Sequence, residues 1–168
     1  GTPGGGTDDG GDGGGLRHYD IGPVLPATQY LADYLGTMFE ITTIYGYRPE
    51  DPYPDHPSGW AADFMVESDR ALGDRLAGYA QTHAAQLNIK YIIWYQRIWS
   101  LERADEGWRP MPDRGGTTAN HKDHVHITIN PDGNAPPGGG CAFLGGVLTR
   151  DNLAAGGIAR ADELAGWA

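Results

Sequence analysis

Three histidines and an aspartate fall within six residues of one another in Asn120-His121-Lys122-Asp123-His124-Val125-His126. Neutral imidazoles and carboxylates are what zinc takes from a protein poor in cysteine, and this chain has a single cysteine, Cys141. On a regular strand His124 and His126 project to one face, one as a ligand and the other as a neighbour touching a metal-bound water. A second cluster is His56-Pro-Ser-Gly-Trp-Ala-Ala-Asp63, a histidine in a Pro-rich loop followed by an aspartate seven residues on. Asp63 lies in an otherwise apolar run, Trp60 to Val66. An unpaired carboxylate buried there would cost several kcal/mol, so it needs a set of donors or a cation, either Arg48 or a metal. Taken together, His56, Asp63 and His126 supply three protein ligands and leave a fourth position free, the count of catalytic zinc sites. An open zinc lowers the pKa of its bound water to about 7 and polarises a carbonyl oxygen. Amide hydrolysis is the natural reaction.

The elements that must position these residues can be read from apolar periodicity. Leu31, Tyr34, Leu35 and Met38 fall at helical spacing. Leu72, Leu76, Tyr79, Ala80 and His83 repeat the pattern, with Ser68 as the expected N-cap and Asp69 in the first turn. Stretches rich in Ile, Thr, Val and aromatics predict strands over Glu40–Tyr45, Trp60–Val66, Lys90–Tyr95 and Val125–Ile129. Without regular βαβ repeats, these make an α+β domain. Gly59 stands between His56 and Asp63, where the chain bends from loop into strand. Residues Arg97–His121 carry many turn formers and read as a long loop. The tryptophans near it, Trp94, Trp99 and Trp108, serve either the core or a ligand-stacking groove. His83, on an apolar helix face without a ligand-spaced partner, is expected to be a core histidine, and His18 a surface one.

His56-x-x-Gly59-x-x-x-Asp63, followed by Asp123-His124-Val125-His126, resembles the zinc D-alanyl-D-alanine metallopeptidases of the lysostaphin, D-Ala-D-Ala peptidase and hedgehog group. The resemblance runs from about Ile41 to Ile129. It implies an α+β fold with a small antiparallel sheet and flanking helices, one zinc ion, and cleavage of peptide bonds in bacterial peptidoglycan. His56, Asp63 and His126 match the three zinc ligands. Arg48, in Tyr-Gly-Tyr-Arg-Pro, matches an arginine that holds a substrate carboxylate or the developing oxyanion; a surface charge or a partner for Asp63 is its other reading. The D,D-peptidases carry Glu three residues before the last ligand, where this chain has Asp123. Endopeptidase-like relatives place a His two residues before it, here His124, and some have another active-site His at the position of His121. The expected catalytic set is therefore Asp123, His124 and His121, with Asp123 either the base or the orienter of a histidine. Arg48, Trp99 and Trp108 are the expected substrate contacts. Relatives of the hedgehog type make a wall-binding or structural module that keeps its zinc without catalysis the alternative.

Composition narrows the partners. The formal charge of −10 argues against a phosphate-backbone partner, and with it a metallonuclease. No apolar run is long enough to span a membrane. Gly numbers 27 of 168 and is concentrated at the ends. Residues 1–15 read as a flexible Gly-rich linker, 16–130 as the peptidase domain, 131–140 as a Pro/Gly hinge and 141–168 as an Ala/Gly-rich, partly helical tail. The flanks suit a monomeric domain of a longer exported, cell-wall or virion-borne polypeptide, as in phage lysins and actinobacterial secreted hydrolases. Cys141, without a local basic neighbour, is not expected to be a nucleophile.

Overall fold

In the computed structural model, which describes residues 15–131, two α-helices pack on one face of a six-stranded antiparallel sheet. Along the chain run α1 (Pro26–Met38), β1 (Ile44–Tyr45), β2 (Ala61–Met65), α2 (Arg70–Thr82), β3 (Ile89–Trp94), β4 (Arg97–Ser100), a 3-10 turn at Ala104–Glu106, β5 (Arg109–Pro110) and β6 (His124–Ile129). In space the strand order is β1-β2-β6-β3-β4-β5. Strand β6 is thus inserted between β2 and β3, which brings the two histidine-bearing segments of the sequence side by side. The architecture is α+β with a small antiparallel sheet. Apart from residues 15 and 131, the expected linker, hinge and tail, with Cys141, lie outside the described residues.

Strand alternation divides the sheet into two chemically different faces. Ala62 and Phe64 of β2, Val125, Ile127 and Ile129 of β6, and Ile92 and Trp94 of β3 join the helices in one buried core. Their neighbours Asp63, His124, His126, Thr128, Tyr91 and Ile93 point to the other face. The β2–β6 register sets Asp63 opposite His126 and Met65 opposite His124. The β3–β6 register sets Tyr91 opposite Thr128 and Ile93 opposite His126.

Both helices follow the sequence periodicity. Leu31, Tyr34 and Leu35 of α1 and Leu76 and Ala80 of α2 are buried. Pro26, whose fixed φ suits a first helical residue, opens α1. The N-cap of α2 is Asp69, which accepts from Leu72 N–H at 3.0 Å; Ser68, the expected cap, precedes it. Gly73 lets α2 ride directly on Trp94, since a Cβ there would come within 2.1 Å of the indole.

Two expected elements differ in the structure. The strand predicted over Glu40–Tyr45 is laddered only at Ile44–Tyr45. Glu40 adopts φ 53° and, with Glu40 N–H to Thr37 O and Ile41 N–H to Gly36 O at 2.9 Å, closes α1 as a left-handed C-cap. The loop predicted over Arg97–His121 contains β4, the 3-10 turn and β5. Tyr95 and Gln96 both take positive φ, 50° and 62°, the geometry of a two-residue hairpin turn. No glycine or asparagine marks that turn, so the hairpin is silent in the sequence. His83 is the residue after the end of α2 rather than on its face. It is buried, its ring lies on Tyr79 and its Nδ1 is 2.9 Å from Tyr79 O.

Candidate metal centre

The sheet face opposite the helices is the floor of a cleft of about 520 Å³. One wall is the segment between β1 and β2, which carries Arg48, Tyr53, Asp55 and His56. The other is the segment between β5 and β6, with Met111, Arg114 and His121. The first wall is anchored where Gly59, at φ 76°, passes so close to α1's entry that a Cβ would lie 2.8 Å from Val24 Cα. Gly59 O accepts from Leu25 N–H and from the Thr28 hydroxyl. The second wall is pinned by the hairpin turn: Tyr95 and Gln96 N–H donate to the carbonyls of His121 and Asn120, each at 2.8 Å. His121 itself has φ 54°, a left-handed conformation that costs a non-glycine residue about 1–3 kcal/mol.

His56, Asp63 and His126 meet on this floor, each buried, with one candidate ligand atom from each lying within 4.8 Å of the others. Their hydrogen bonds decide which atoms face inward. His56 Nδ1 is 2.7 Å from the carbonyl of Gly46; a carbonyl only accepts, so Nδ1 carries the proton and Nε2 is left as a bare acceptor. That Nε2 is buried without a hydrogen-bond partner, although Asp63 Oδ2 is only 3.2 Å away. His126 Nδ1 is 2.8 Å from Asp63 Oδ1. Two imidazoles and a carboxylate thus converge, and a borderline-soft cation such as zinc takes this donor set. The buried, partnerless Nε2 of His56 is the observation that makes the residues fit such an ion.

The carboxylates around the centre are held ionised. Burial raises the pKa of Asp63, but its hydrogen bond with His126 and the electrostatic influence of His126 and His124 outweigh it and keep the carboxyl well below the usual range. Asp55 follows the same balance, with His126 and Thr128 opposing burial. Burial lowers the pKa of His126, and the hydrogen bonds to Asp55 and Asp63 reverse this, bringing it up to about 9. His121 is pushed down to about 3 by burial first and then by the neighbouring His124 and His126, so it is neutral at working pH.

The remaining expected residues divide. His124 lines the cleft, with Nε2 3.8 Å from Asp63 Oδ1 and Nδ1 2.7 Å from Asp123 Oδ1. Asp123 is outside the cleft lining; its oxygens meet His124 and the Thr118 hydroxyl, at 2.7 Å each. Of its two readings, the geometry is that of an orienter. His121 lies beside both other imidazoles, 4.7 Å from His124 and 5.7 Å from His126 between ring centres. Arg48 bridges Asp51 Oδ2 at 2.8 Å and Asp63 Oδ2 at 3.2 Å, the pairing with Asp63 that was its second reading. His18, exposed, is 3.2 Å from Asp33.

Trp99 and Trp108 do not line the cleft. Trp99 is 0% exposed and pairs with Ile92 in the core. Trp108 packs at the edge of that core, its indole N–H donating to Gln81 of α2 at 3.0 Å. Alternation explains this: on β4 it is Ile98, not Trp99, that faces the cleft. Sequence reasoning missed Asp55, Tyr91 and Thr128. Asp55 Oδ2 accepts from the Tyr91 hydroxyl and from the Thr128 hydroxyl, the latter at 2.7 Å, beside His126. Period-two spacing from His126 would have pointed to Thr128; nothing local marks Asp55 or Tyr91.

Fold and site together define an α+β domain with two histidines and an aspartate converging on a cleft floor. The family model described as the VldE C-terminal domain matches residues 22–122, more than half of the chain, and the chain belongs to that family. The match includes Arg48, His56, Asp63 and His121 and ends before Asp123, His124 and His126. The chain is also 46% identical over 89 residues to a protein of Arthroderma benhamiae described as an uncharacterized secreted protein. That alignment covers 40% of this chain and 36% of the relative, so the chain spans little more than a third of the relative's length. No solved structure matches the chain.

Proposed function

We propose that this domain is a zinc-dependent peptidase that hydrolyses an amide bond in the stem peptide or cross-bridge of bacterial peptidoglycan, with a hedgehog or D,D-peptidase-like fold. The observation that carries the reading is the convergence of His56 Nε2, Asp63 and His126 Nδ1, with His124 beside them as a further inward-facing imidazole. His56, Asp63 and His126 would hold the zinc. When bound, zinc supplies a Lewis acid that polarises a carbonyl and makes water nucleophilic near neutral pH.

The chain's own groups supply the proton handling. Asp123 fixes His124 with Nδ1 protonated, leaving Nε2 as the acceptor that faces the centre. Nε2 takes the proton of the attacking water and returns it to the leaving amine, and the Asp123 carboxylate stabilises the imidazolium between those steps. His121, neutral, stands beside His124 as a hydrogen-bonding group for the substrate. Arg48 lies on the cleft wall with its guanidinium partly exposed, placed to support negative charge developing on the carbonyl oxygen. The hydrocarbon of Ile93, Ile98 and Met111 offers the substrate an apolar floor next to these polar groups.

The relative described as secreted supports an extracellular setting, where peptidoglycan is met. The test is peptide release from purified peptidoglycan by the zinc-loaded protein. Release that stops with a chelator and returns with zinc supports the reading. No release from several wall chemistries would leave the alternative, a zinc-containing wall-binding module.

A further inference from the structure

Asp55, Thr128 and His126 form a chain of hydrogen bonds with a fixed direction. An ionised carboxylate only accepts, so the Thr128 hydroxyl, 2.7 Å from Asp55 Oδ2, donates its one proton to it. Thr128 Oγ1 is also 2.8 Å from His126 Nε2. Having given up its proton, Oγ1 can only accept there, which requires the proton of the imidazole to sit on Nε2. Asp55 is held for this task from two sides. Tyr91 donates a second hydroxyl to the same Oδ2, and the Asp55 carbonyl accepts Trp60 N–H at 2.8 Å.

The alternative tautomer has an obvious attraction that the relay opposes. Asp63 Oδ1, 2.8 Å from Nδ1, would by itself draw the imidazole proton onto Nδ1, the nitrogen on the side of the Asp63 carboxylate. A cation and that proton compete for one lone pair. Without Thr128, Nε2 would face Asp55 Oδ2 at 3.6 Å, beyond a good hydrogen bond.

We infer that Asp55 is a positioning residue which, through the Thr128 hydroxyl, holds His126 in the Nε2-protonated tautomer and so presents Nδ1 as a metal ligand. The inference rests on the zinc reading above for its purpose, but the tautomer is a property of the chain alone. Ligand histidines are commonly oriented through their second nitrogen; here the connection runs through a hydroxyl from the same strand to a carboxylate on the cleft wall.

The experiment combines zinc affinity, from chelator competition, with ¹⁵N spectra of the His126 ring. Thr128→Val removes the hydroxyl at nearly constant shape, Thr128→Ser retains it, and Asp55→Ala removes the acceptor. Thr128→Val and Asp55→Ala are expected to weaken zinc binding about 10–100-fold, with Thr128→Ser close to the parent. The ¹⁵N spectrum of the zinc-loaded parent is expected to show a protonated Nε2. Unchanged affinity in Thr128→Val, or a proton on Nδ1 in the zinc-loaded parent, overturns the inference. If the parent binds no zinc, the metal reading fails, and the metal-free parent above the pKa of His126 then decides the tautomer. Should Thr128→Val fail to fold, the parent spectrum decides alone.

Discussion

Asp63 on β2 and His126 on β6 stand directly opposite each other across two antiparallel strands, with Asp63 Oδ1 2.8 Å from His126 Nδ1. They are 63 residues apart in the chain, and strand register alone makes them neighbours. A slip of one residue would turn His124 and His126 into the apolar core and Val125 and Ile127 into the cleft. The same apolar residues that hold the sheet to its helices therefore hold the candidate centre together.

Removing Asp63 should affect both metal and fold. Asp63→Ala leaves Arg48 without one partner and His126 without its nearest carboxylate. Breaking a buried ion pair in this way costs about 3–5 kcal/mol. Urea unfolding of the metal-free variant should show a loss of that order, and zinc should no longer raise its midpoint. A variant as stable as the parent would mean that the pair contributes nothing to the fold.

Asp123 and His124 should separate as orienter and proton carrier. Asp123→Asn is expected to lower kcat by about 10–100-fold while zinc affinity stays near the parent value. His124→Ala should reduce turnover further. Steady-state kinetics on a soluble muropeptide would check the order, and full activity in Asp123→Asn would remove Asp123 from the mechanism.

The pH dependence has a definite sign. In the metal-free protein His126 has its pKa at about 9, above its usual 6.5. Its stabilisation is present below about 6.5 and is lost as pH rises through about 9. Zinc binding requires the deprotonated ring at Nδ1, so zinc affinity should climb over that same window. Thermal unfolding with and without zinc checks both. A metal-free Tm that holds level from neutral pH to above 9 would contradict the charge assignment of His126.

Trp99 and Trp108, both outside the cleft lining, should behave differently from cleft residues. Trp99→Ala is expected to destabilise by about 3–5 kcal/mol, because the side chain is fully buried. Trp108→Phe should leave KM and kcat for peptide release unchanged. A raised KM in Trp108→Phe would mean that substrate extends beyond the cleft.

What the sequence made legible was chemistry of short range. His56 and Asp63 share a motif, and His124 and His126 share a strand face, so residue type and spacing sufficed to nominate them. Both helices were legible because Leu31, Leu35, Leu76 and Ala80 repeat at 3.6-residue spacing. Asp55 and Tyr91 were not, because what they do depends on contacts across the sheet and between segments 36 residues apart. Glu40 misled for a different reason: an acidic residue in a left-handed helix cap looks locally like the start of a strand. Trp99 misled because the Tyr95-Gln96 turn carries none of the usual residues, which hid β4 and the alternation that sends its indole inward.

Metal content and affinity of the purified protein bear most directly on the centre formed by His56, Asp63 and His126. Protein prepared without added ions, then titrated with zinc against a competing chelator, is expected to bind one zinc per chain. His56→Ala, Asp63→Ala and His126→Ala should each abolish that binding. A folded parent protein that takes up no zinc, or a His126→Ala variant that binds it as well as the parent, would contradict the account.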